Sequence, residues 1–177
     1  MNILVADLCI LEPQAETHAH EMFKVLSDPA IYEFENGPPP SEEWLAMRFK
    51  KLESGQSPDG KQHWLNWVVR TNTDGLAGYV QATVLEDELC YVAYELSSNY
   101  WRRGLGRSAV TAMLHELAAH YRVRTAIAVL KAKNFRSQGL LLNLGFAAAT
   151  EEMMAVVNPE PDEIVMVKSL SSTQNAS

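Results

Sequence analysis

Trp101-Arg102-Arg103-Gly104-Leu105-Gly106-Arg107-Ser108-Ala109-Val110 is the stretch on which the reading of this chain turns. It lies between an apolar strand-like run, Leu89 to Leu96, and an amphipathic helix-like run that begins at about Gly106. Two glycines let the backbone turn tightly and bring its amides against a ligand. Those amides run on into a helix N-terminus, where unpaired N–H groups and the helix dipole favour an anion. Arg102, Arg103 and Arg107 add charge at the same place. The segment reads as a seat for a pyrophosphate.

Around it the chain alternates between two periodicities. Leu4 to Leu11 reads as a first strand, and Pro13 suits the first turn of a helix carrying Ala15, Ala19, Met22, Phe23 and Leu26. Asp28-Pro29 ends that helix, and Ser41 is a good N-cap for a second one bearing Leu45, Phe49 and Leu52. His63 to Arg70, Leu76 to Leu85 and Leu89 to Leu96 are strand-like runs joined by short polar links, which implies an antiparallel meander. After the helix that follows Gly106 come a strand from about Arg124 to Leu130 and a helix from near Asn134 to Gly145. Phe146 to Val157 and Ile164 to Leu170 read as closing strands. The expected fold is therefore α/β, a mixed central sheet with helices on both faces.

Composition narrows the class. The 177 residues, 47% hydrophobic and 21% charged, suit one soluble domain, read as 1–170 with a disordered tail over 171–177. No apolar run approaches the roughly 20 residues that cross a bilayer, and the apolar N-terminus carries Asp7 without a basic flank, so no membrane role and a cytoplasmic location are expected. Cys9 and Cys90 sit in apolar runs without metal-type spacing, which reads as two buried thiols and no metal. Net charge is −7, but residues 101–177 carry +3 while residues 1–60 carry −7. The basic third holds the glycine loop, as an anionic cofactor requires, and no basic stripe interleaved with aromatics suggests nucleic acid.

Three kinds of cofactor use such loops. A Walker-type loop needs Gly-Lys-Ser/Thr, and Gly106 is followed by Arg107-Ser108. Gly104-Leu-Gly106-Arg-Ser-Ala109 fits the dinucleotide pattern GxGxxA, but 7 residues separate it from Leu96 and Arg122 to Val129 offers no acid for a ribose. The segment instead resembles motif A of the GNAT superfamily of N-acetyltransferases, Gln/Arg-x-x-Gly-x-Gly/Ala. Trp101 replaces the Gln or Arg, and Tyr100-Trp101 matches the Rim-like branch, which includes ribosomal-protein N-terminal acetyltransferases. Asn134-Phe-Arg-Ser137 matches that branch's Asn-x-x-Ser, Leu144-Gly145-Phe146 its Leu-Gly-Phe, and Leu11-Glu-Pro13 with Ser27-Asp-Pro29 its opening elements.

The resemblance implies a sheet with its first four strands antiparallel, and its fourth and fifth parallel and splayed around acetyl-CoA. It places the pyrophosphate on Arg102, Arg103, Gly104, Leu105, Gly106 and Arg107, and pantetheine along Tyr94, Glu95 and Leu96. The Leu96 N–H would polarise the thioester carbonyl. Asn134 would hold the cofactor as well as cap its helix, and Ser137 would donate a proton to the departing sulfur. The tyrosine that many relatives use for this purpose is replaced by Leu141. No base is assigned: Cys90 and Val129 stand where relatives carry glutamate, and Glu151, Glu152, Glu95, Glu33 and Tyr94 are alternatives, as is a water chain. The acceptor would be a primary amine on a small molecule or a protein N-terminus, met at 31–35, the proline turn and 158–162. The same resemblance leaves room for a non-catalytic acyl-CoA-binding module, as a monomer or a homodimer.

Overall fold

The three central runs form the expected meander, β3 (His63–Thr71), β4 (Leu76–Val84) and β5 (Leu89–Leu96), each antiparallel to the next. The computed structural model describes residues 1–34, 37–72 and 75–171, so Glu35 and the tail from 172 lie outside the described residues. The first strand is in fact a small hairpin, β1 (Leu4–Val5) and β2 (Cys9–Pro13). Asp7 and Leu8 turn the chain, and Ala6 N donates to Cys9 O at 2.9 Å. Pro13 therefore ends a strand, and α1 (Ala19–Leu26) begins later, after a turn of 3-10 helix. Ser41 caps α2 (Glu42–Leu52) as expected, its hydroxyl accepting from Trp44 N.

The parallel pair follows. α3 (Leu105–His120) returns the chain to β6 (Thr125–Lys131), which lies parallel to β5. α4 (Phe135–Asn143) comes next, with Gly145 at φ +82° in the left-handed region after its end. The run Phe146 to Val157 is not a strand. Only β7 (Ala147–Ala148) is extended, and Glu151–Val157 forms α5 before β8 (Glu163–Ser169). Thr150 accepts from Met153 N, Glu151 and Glu152 meet the positive end of the dipole, and Asn158 ends the helix at φ +49°. These local signals outweigh the strand preference of Val156 and Val157.

Among the described residues the sheet order is β1-β2-β3-β4-β5-β6-β8-β7. Dividing the first strand makes the parallel pair the fifth and sixth strands instead of the fourth and fifth. One face packs Trp67, Val80 and Val92 against Ala109, Val110 and Met113 of α3 and Leu141 of α4. The other packs Val68 and Leu76 against Met22 and Leu26 of α1 and Leu45 and Phe49 of α2. No helix among the described residues is long and apolar enough to cross a membrane.

Candidate active site

The site begins where β5 and β6 part. Their pairing runs Leu89↔Thr125, Cys90↔Ala126 and Tyr91↔Ile127, and stops there. On the other side of β5, Leu85 N donates to Leu89 O and Ser97 N to Ala77 O, each at 2.9 Å. In an antiparallel ladder such bonds recur at every second residue. The odd-numbered residues of β5 therefore turn their amides to β4, while Tyr94 and Leu96 turn theirs toward the opened gap. Leu96 O accepts from the Trp101 indole Nε1 at 2.8 Å, so the tryptophan that stood out in the motif locks the strand to the loop after it.

Glycine geometry sets the bend. A bulge at the β3–β4 pairing carries Gly78 to φ +151°, opposite Leu96. A Cβ there would overlap the Glu95 carbonyl and lie 2.8 Å from Leu96 Cα, so β4 approaches β5 backbone to backbone. Beyond Leu96, Arg102 (φ +58°) and Gly104 (φ +79°) are both left-handed, and Gly104 is the N-cap of α3. A Cβ on Gly106 would sit 3.2 Å from Leu96 Cδ1 and from Leu140 Cδ2. The glycine thus lets α3 start against both walls of the gap. The Ser108 hydroxyl accepts from Leu8 N at 3.2 Å, tying this start to the β1–β2 hairpin. Arg102, Arg103 and Arg107 are exposed around it. Arg107 also reaches a cavity of about 330 Å³ between α3 and β8, shared with His115 and Lys168.

The far wall is the first turn of α4. Asn134 Oδ1 accepts from Ser137 N at 3.1 Å, the capping role expected of it. Ser137 Oγ lies 2.7 Å from the Tyr94 hydroxyl, a hydrogen bond from β5 across the mouth of the gap to α4. Burial raises the Tyr94 phenol to about 12, against the opposing pull of the Ser137 bond. At neutral pH it is protonated and not a base, and either hydroxyl of the pair can donate to the other. One residue before Ser137, the Arg136 guanidinium lies 3.9 Å from the Trp101 ring centroid and donates to Glu33 at 2.8 Å.

Most of the acids considered as bases are placed elsewhere or occupied. Glu151 and Glu152 lie in the exposed first turn of α5, and Glu33 is paired with Arg136. Cys90 is fully buried, and desolvation pushes its thiol up to about 12. Val129 is 37% exposed. Glu95 is half-buried on the α1–α2 face of β5. It lies near Tyr32, whose pKa is raised first by burial and then by the charges of Glu95 and Asp28. The side chains of Tyr94 and Glu33 were expected as alternative bases; the bond of Tyr94 to Ser137 and the pairing of Glu33 with Arg136 were not foreseen. Period-two alternation does put Tyr94 on the same face as Val92 and Leu96, toward α4, and that signal was available.

An acetyltransferase (GNAT) domain model matches residues 8–147. The chain belongs to the GNAT acetyltransferase family. Solved structures share its fold at low identity. RimL, a ribosomal L7/L12 α-N-protein acetyltransferase in complex with coenzyme A, is 13% identical over 97% of this chain and 99% of its own, with a TM-score of 0.79. The ribosomal-protein-S5-alanine acetyltransferase from Vibrio fischeri is 17% identical over 97% and 98%, with a TM-score of 0.77. The microcin C7 self immunity acetyltransferase MccE, in complex with acetyl-CoA and AMP, is 15% identical over 92% and 93%, with a TM-score of 0.76. No curated protein sequence matches the chain. The family match bears out the GNAT resemblance read from the sequence.

Proposed function

We propose that the chain is an acetyl-CoA-dependent N-acetyltransferase that acetylates a primary amine, on a small molecule or a protein N-terminus, by direct attack. The hydroxyl pair of Tyr94 and Ser137, poised across a gap into which Tyr94 and Leu96 turn their amides, carries this reading. A strand edge with outward amides fits the amide-bearing pantetheine arm as a strand would be fitted. The exposed arginines and the start of α3 fit its pyrophosphate, with the nucleotide end toward Arg107, His115 and Lys168. Leu96 N–H polarises the thioester carbonyl, and Asn134 holds the turn that presents Ser137.

The amine lone pair attacks the carbonyl carbon, and the C–S bond breaks with its electron pair on sulfur. Ser137 passes its hydroxyl proton to that sulfur and takes one from Tyr94. Water returns to Tyr94 the proton shed by the acylated nitrogen. The hydroxyl missing at Leu141 is thus supplied from β5 through Ser137. A module that only binds acyl-CoA has no use for a buried, protonated relay at this place, which favours catalysis. The test is release of free CoA thiol from acetyl-CoA across a panel of amines and peptides. Ser137→Ala should lower kcat by about a hundredfold while calorimetric CoA binding persists. Undiminished turnover would remove Ser137 from the mechanism.

A further inference from the structure

The C-terminal half of α2 overhangs β3 and β4 and leaves a cavity of about 290 Å³ that the mechanism does not use. Arg48 and Lys51 of α2 stand over it, and Trp64, Asn66, Gln81 and Thr83 line its floor. That floor breaks the pattern of the sheet. Further along the same face, Val68 and Leu76 are apolar and covered by α1 and α2. Trp64 pairs with Thr83 and Asn66 with Gln81, so an aromatic face and polar side chains meet in two adjacent rows. Neither Arg48 nor Lys51 is paired with a carboxylate among the described residues. Three of the four bases in residues 1–60 are Arg48, Lys50 and Lys51, concentrated in an otherwise acidic third of the chain.

The cavity opens on the face opposite α3 and α4, and so opposite Tyr94 and Ser137. Gln81 and Thr83 stand across from Ala93 and Tyr91, and Tyr91 is the last residue of β5 paired with β6. Leu96, where the thioester is placed, lies three to five residues beyond Ala93 and Tyr91 and two strand spacings across, roughly 15 Å from the cavity. From this we infer that the cavity is an acceptor subsite for an anion, so that the amine substrate carries a carboxylate or phosphate roughly 15 Å from its nitrogen. The anion meets Arg48 and Lys51, the linking chain lies along Trp64 and the amides of Asn66 and Gln81, and the amine reaches the gap. This inference rests on the acetyl-transfer reading for its chemistry but not for its binding.

The experiment compares 12-aminododecanoate, 12-aminododecyl phosphate and 1-aminododecane as acceptors for the full-length protein with acetyl-CoA. The anionic amines should exceed the uncharged one in kcat/KM by at least about tenfold. In Arg48→Gln/Lys51→Gln that ratio should fall toward one through KM. The two anionic arms separate carboxylate from phosphate. No preference in the wild type, or the same preference in the variant, overturns the subsite. Binding is read separately from the indole N–H resonance of Trp64, assigned with Trp64→Phe. A shift with either anionic amine and none with 1-aminododecane, without turnover of any, would keep the subsite and remove acetyl transfer. No shift with either anion overturns the subsite whatever the turnover.

Discussion

Tyr94 is a residue whose chemistry is decided by where its hydroxyl ends up. Burial holds the phenol at about 12 where an unfolded chain leaves it near 10. The folded state therefore binds that proton more tightly than the unfolded state does. Its contribution to stability is complete below about pH 10 and is lost as pH rises toward 12. Urea unfolding at pH 9 and pH 11.5 should show a smaller alkaline loss in Tyr94→Phe than in the wild type. The same variant should lose about tenfold in kcat. Because Tyr94 acts only through Ser137, Tyr94→Phe added to Ser137→Ala should cost nothing more, a non-additivity that independent roles would not give. The sequence marked Ser137 and Asn134 through their spacing in one turn of helix. It could not mark the Tyr94 partnership, which joins residues 43 apart in sequence. The pairing of Arg136 with Glu33 spans 103 residues and was hidden for the same reason.

Among the elements, the meander and α2 to α4 were legible because apolar periodicity and caps agree there. Ser41 and Gly145 behave as their residue types demand. Where two signals competed, the longer-range pattern was misleading. Leu4 to Leu11 is apolar enough for one strand, but Asp7 and Leu8 turn it into a hairpin. Thr150-Glu151-Glu152 carries a complete helix start inside a run that ends in valines. Thr150→Ala should destabilise the protein by about 1 kcal/mol, read from the urea midpoint. Gly78→Ala should cost far more, about 3 kcal/mol, because its Cβ would overlap backbone that no rotamer change can clear. Its glycine requirement depends on a bulge, and a bulge is a property of two strands together.

Across the whole molecule, one ion-pair network ties β2 and β3 to α1. Arg70 of β3 donates through Nε to Glu12 of β2 at 2.7 Å and through Nη2 at 3.0 Å, with Glu21 of α1 at 3.5 Å. The Arg70 hydrogen bonds hold the Glu12 carboxyl below its ordinary range. A depressed carboxylate stabilises the fold above its unfolded pKa and loses that contribution as pH falls through the folded one. Glu12→Gln should therefore lower the urea midpoint at pH 7 and narrow its gap from wild type by about pH 3. The splay of β5 from β6 has a further consequence. Beyond Tyr91 the ladder between β5 and β6 is unmade, and on the proposed reading its other side is a small molecule that arrives and leaves with every turnover. Hydrogen exchange at the Tyr94 and Leu96 amides should then slow on adding coenzyme A, the backbone being fully woven only while that ligand is aboard.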